Sequence, residues 1–89
     1  MCAYLESQAD GDHNAKPFAA VLSWGTPHDP YHTAPPEYAA LYPDGCPVEL
    51  RPNVPAEFRE EAARDLRGYY AHIAALDDCM ANLLATLDK

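Results

Sequence analysis

The sequence predicts a piece of an α/β domain: one buried strand, a long proline-rich loop and one long amphipathic helix. Three observations carry that expectation. Residues 17–24 form a short apolar run with no polar face, ending at Gly25. Such a run suits a strand inside a parallel sheet that helices cover on both sides. Eight of the nine prolines fall between residues 27 and 55, which excludes a long helix or a central strand there. From residue 55 onward apolar side chains recur every three or four positions, the period of a helix with one apolar face.

Taken in order, residues 1–16 read as the end of a helix followed by a loop. Cys2, Leu5 and Ala9 stand at helical spacing, and the stretch from Ala9 to Lys16 is polar and holds a glycine. The strand at 17–24 needs hydrogen-bonding partners on both edges, and no second run of comparable quality occurs in the chain. Residues 25–54 form an irregular excursion with one helical turn near 36–42. Loops of that length are functional or disordered, and Tyr31, Tyr38 and Tyr42 favour an ordered one. The helix spans 55–88, with Pro55 suited to a first turn and Glu57, Glu60 and Glu61 near the positive end of the dipole. Its stripe is Phe58, Ala62, Leu66, Tyr69, Ile73, Leu76, Met80, Leu83 and Leu87. Unbroken, it would run about 50 Å, whereas a compact globule of this length is roughly 30 Å across. The helix therefore breaks, near Gly68, or belongs to a larger body.

Composition agrees with a chain that cannot close its own core. Apolar residues make up 48%, but 16 of them are alanine, and Leu, Val, Ile and Phe together supply 15 residues. That is under the roughly 20% expected of an independent folder carrying a high net charge. Six tyrosines and Trp24 restore some buriable area. With 6 basic against 14 acidic residues, net -8, neither nucleic acid nor an anionic membrane surface is an expected partner. No apolar run approaches the roughly 20 residues of a membrane span. The first six residues have neither the basic nor the apolar region of a signal peptide, and export and localisation stay open. Cys2, Cys46 and Cys79 form no CxxC pair and are odd in number, which argues against a disulfide scaffold or a structural zinc site.

The densest polar cluster runs from residue 23 to 32, SWGTPHDPYH. It lies at the carboxyl end of the predicted strand, where open α/β sheets place their ligand groups. Gly25 permits close backbone approach, and Pro27 and Pro30 stiffen the loop around His28. Spacing alone leaves two readings of His28. It donates to an anionic substrate oxygen or a leaving group, or it is a loop histidine that hydrogen-bonds backbone groups. His28 and His32 are four apart, but the zinc-protease use of that spacing needs a helix, which Pro30 opposes. His72, Asp77 and Asp78 fall on the predicted helix, where a solvated face or helix-packing hydrogen bonds account for them. His13 sits in the polar loop with no assigned role. No GxSxG, P-loop or dinucleotide glycine pattern occurs.

The stretch 16–31, KPFAAVLSWGTPHDPY, resembles the central strand and PPHxPY loop of the sulfatases, sulfuric ester hydrolases of the alkaline phosphatase superfamily. The stretch from residue 69, YYAHIAALDD and then LLATL, is similar to that family's YYAxIxxLDDxVGxLLxxL helix. Both blocks keep their order and spacing, and the likeness covers nearly the whole chain. The resemblance implies an internal fragment of a sulfatase-like (alkaline-phosphatase-like) α/β core. It also implies hydrolysis of sulfate esters by a formylglycine nucleophile, made from Cys or Ser in a C/S-x-P-x-R motif. A divalent cation, usually Ca²⁺, is held in such enzymes by Asp and Asn side chains. The chain holds neither that motif, nor the paired aspartates found near that family's amino end, nor the SDHG-type segment. The resemblance therefore puts nucleophile and Ca²⁺ ligands outside the segment and assigns no metal ligand within it.

Of the family's active-site residues only the loop histidine carries over, at His28, as the catalytic and sulfate-binding residue. His32 and His72 match no active-site position, and Ala81 and Asn82 replace the usual Gly-Arg. The expected substrate of the parent enzyme is a sulfate ester. Alone, the chain is expected to be inactive and to self-associate through its open strand edges and helix face. Two rivals stand. One is a phosphodiesterase or phosphatase of the same superfamily, with Thr or Ser as nucleophile. The other is a stand-alone module whose helix stripe pairs with a partner helix.

Overall fold

The computed structural model describes residues 1–9 and 17–88, so His13 and the predicted polar loop at 10–16 lie outside the described residues. Three helices carry the regular structure: α1 (Cys2–Ala9), α2 (Pro36–Ala39) and α3 (Arg59–Leu87). Short 3₁₀ turns at Tyr31–Thr33 and Ala56–Phe58 complete it.

The long helix is the axis of the molecule. Pro55 precedes the 3₁₀ turn that leads into α3, and Glu60 and Glu61 fall in the first turn of that helix, where the dipole favours carboxylates. Its 29 residues run without interruption through Gly68, about 43 Å at 1.5 Å per residue. Everything else leans on it. α1 packs against α3, where the Cys2 thiol lies 3.9 Å from the Asn82 carbonyl. α2 begins with Pro36 and is tied down by the Tyr38 hydroxyl, which donates to Asp78 Oδ2 at 2.8 Å. The turn at 43–46 closes through Cys46 N–H to the Pro43 carbonyl at 2.9 Å, with Gly45 at φ 84°, a backbone conformation that glycine reaches without Cβ strain. Arg67 Nε donates to the Cys46 carbonyl at 2.9 Å and holds that turn on the helix. The Tyr42 and Tyr70 rings meet with centroids 5.7 Å apart.

The expected α/β architecture with a strand at 17–24 is corrected here: among the described residues there is no strand, and all regular structure is helical. Residues 17–24 are irregular and exposed, Val21 at 91%. The physical reason is the one that the sequence already contained. A strand is held by ladder hydrogen bonds to its neighbours, and the described residues offer 17–24 no second strand to pair with. Phe18 meets Tyr4 edge-on, with centroids 5.5 Å apart.

Burial is correspondingly thin. Ala71 and His72 are the buried side chains among the described residues. The radius of gyration is 18.5 Å and the extents are 62 × 22 × 18 Å, against a radius near 12 Å for a compact domain of this length. The accessible surface is 7062 Å², where a compact monomer of this mass exposes roughly 5,200 Å². Much of the apolar stripe stays open: Phe58, Tyr69, Ile73, Met80 and Leu87 are all exposed. What packs instead is the small-residue face around Gly68, Ala71, His72 and Ala75, on which the loop at 31–35 sits.

Candidate functional site

The loop at 25–33 is built by short-range bonds and then seated on α3. His28 N–H donates to the Gly25 carbonyl at 3.2 Å, closing a turn that lifts the imidazole away from the body. The side chain of His28 is 80% exposed and that of Asp29 is 65% exposed. His28 Nδ1 lies 2.5 Å from Asp29 Oδ1 and 3.1 Å from the Asp29 carbonyl oxygen. Both partners are acceptors, so Nδ1 carries a proton. Asp29 thereby fixes which nitrogen faces outward, leaving Nε2 at the tip. At such exposure the contact itself contributes little to stability. Its consequence is orientation.

The far end of the loop is the seat. Tyr31 brings its backbone against α3 at Gly68, where an added Cβ would stand 2.2 Å from the Tyr31 carbonyl oxygen. The Tyr31 ring meets Tyr69 edge-on at 6.2 Å. Thr33 Oγ1 donates to the Pro30 carbonyl at 2.8 Å and lies 3.4 Å from His72 Nε2. An open cleft of about 270 Å³ runs beside this seat, lined among others by Trp24, Thr26, Thr33, His72 and Cys79.

Of the residues that the sequence singled out, the structure sets His28 at the loop tip, beside Asp29, and His72 beneath the same loop. His32 lies in the 3₁₀ turn beside Arg64 and Gly68, lining a separate cleft with Tyr31 and Asp65. Asp78 receives the Tyr38 hydroxyl, and that hydrogen bond, with some burial and the nearby carboxylate charge, raises the phenol above its ordinary value of 10.0. For His72 and Asp78 the helix-packing reading is therefore the one observed. The sequence reading passed over Asp29 and Thr33. A carboxylate beside the loop histidine was the available signal for the first. Cys2, Cys46 and Cys79 are free thiols.

Among the described residues no three His, Cys, Asp or Glu side chains converge where they could hold a metal ion. The resemblance places the calcium ligands outside these 89 residues. No described helix is long and apolar enough to cross a membrane.

Neither a protein-family model nor a solved structure matches the chain. A curated protein does: it is 41% identical over 85 residues to the ulvan-active sulfatase of Formosa agariphila. The match covers 96% of this chain and 16% of that protein. The chain is thus related to a sulfatase over nearly its whole length and spans about a sixth of its relative. The likeness first read from the loop and helix blocks has independent support at that level.

Proposed function

We propose that the chain is a segment of a sulfatase, a hydrolase of sulfate esters, and that His28 is its contribution to the active site. The observation that carries this reading is the 41% identity over 85 residues to a sulfatase. The geometry of the loop is what gives the segment a role. With Nδ1 engaged by Asp29, an imidazole protonated on both nitrogens offers Nε2–H to an anionic oxygen. A sulfate ester has such oxygens, and its bridging oxygen gains charge as the S–O bond breaks. A donor aimed there stabilises the transition state more than the ground state, and its proton can pass to the departing alcohol. Nucleophile and cation ligands come, in this reading, from outside the segment. The substrate class proposed for the parent is that of the relative, ulvan.

The test is a graft. Residues 1–89 replace the matching 85-residue stretch of the ulvan-active sulfatase, and sulfate release is followed. A folded graft that releases sulfate supports the reading. A graft that melts cooperatively near the parent's temperature yet releases none contradicts it.

A further inference from the structure

His72 is 3% exposed, sits at the middle of α3 and is left unused by the chemistry proposed for His28. Its surroundings give it a defined state. The single hydroxyl proton of Thr33 is spent on the Pro30 carbonyl at 2.8 Å. Thr33 Oγ1 can therefore only accept from His72 Nε2, at 3.4 Å. That makes Nε2 the protonated nitrogen, while Nδ1 is buried with no hydrogen-bond partner among the described residues.

Gly68 and His72 are four residues apart and therefore share one face of α3. Tyr31 and Thr33 are the first and last residues of the 3₁₀ turn. Tyr31 sits on Gly68 and Thr33 sits on His72, so the loop is fixed at two points one helical turn apart. One point alone would leave rotation about it; two set the direction in which His28, three residues before Tyr31, leaves the body.

We propose that His72 is a positioning residue for the His28 loop, acting through the chain His72 Nε2–H, Thr33 hydroxyl, Pro30 carbonyl. Its relevance to catalysis rests on the sulfatase reading, but the coupling is measured on this chain without substrate, so the two fail separately. Trp24 is the single tryptophan and lines the same cleft as Thr33 and His72, which makes its fluorescence the reporter. The experiment measures acrylamide quenching of Trp24 in the 89-residue chain, with circular dichroism recording helix content. Losing a bond of ordinary strength shifts the docked-to-free ratio of the loop about fivefold. Thr33→Val and His72→Leu should each raise the quenching constant, and the double variant should be no worse than either. Thr33→Ser and His72→Gln, which keep a hydroxyl and an N–H donor, should stay at the original value. Because Thr33 is exposed, Thr33→Val keeps the test alive even if His72→Leu fails to fold. Quenching unchanged in Thr33→Val overturns the proposal, as does a His72→Gln variant as loose as one without any donor.

Discussion

Gly68→Ala sets two effects of known size against each other at one atom. In an open helix the change should stabilise, because alanine exceeds glycine by about 1 kcal/mol in helix propensity. Here the new Cβ would lie 2.2 Å from the Tyr31 carbonyl oxygen and 2.8 Å from its carbon. Those are backbone atoms, and no side-chain rotation relieves them. Forcing a methyl into such a contact typically costs about 1–3 kcal/mol. The steric term wins where the loop stays docked, and the cheaper outcome is release of the loop. We therefore expect helix content unchanged or raised by circular dichroism, together with easier acrylamide quenching of Trp24. A variant with a higher urea midpoint and unchanged Trp24 quenching would refute the close packing of Tyr31 on Gly68.

Three further outcomes are expected. The chain alone should not hydrolyse aryl sulfates above a blank, since no metal set exists among its described residues and the C/S-x-P-x-R nucleophile motif is absent from its sequence; turnover that vanished in His28→Ala would contradict this. It should self-associate, because large apolar side chains, among them Phe18, Val21, Ile73, Met80, Leu84 and Leu87, are each exposed; a monomer by light scattering with a sharp two-state melt would count against it. The bond from Tyr38 to Asp78 raises the phenol above 10.0, so its stabilising contribution is present below that value and lost as pH rises through the higher folded value. Alkaline titration followed by circular dichroism should show that loss in the natural chain and not in Tyr38→Phe; identical profiles would dismiss the bond.

The parts of the structure legible in the sequence were those governed by local rules. Helical spacing from Phe58 to Leu87 placed α3, Pro55 and the early glutamates marked its start, and Tyr38 and Tyr42 marked an ordered loop that does dock. What failed was the strand, because an apolar run such as 17–24 takes its conformation from neighbours that lie elsewhere in sequence or are absent. Which face of α3 is covered was also illegible. The large residues of the stripe promised burial, yet the loop chose Gly68, Ala71 and His72, whose small or hydrogen-bonding side chains admit backbone closely. At the candidate site, His28 stood out by its proline-flanked loop. Asp29 and Thr33 act through geometry that no periodicity records, and His72 could be given a packing role but not a partner.

His28 is the group proposed to meet the sulfate. The deciding measurement is steady-state kinetics of the sulfatase graft carrying His28→Ala, beside His32→Ala and the unaltered graft, with melting temperatures for each. Loss of one donor at a developing oxyanion typically lowers kcat by about 10²–10³. His28→Ala should show that loss at an unchanged melting temperature, since its side chain is 80% exposed and supports no core. His32→Ala, lining a separate cleft with Arg64 and Gly68, should cost under roughly tenfold, the size of an indirect effect worth less than about 1.4 kcal/mol. Equal damage from both at unchanged stability, or none from His28→Ala, would contradict the assignment.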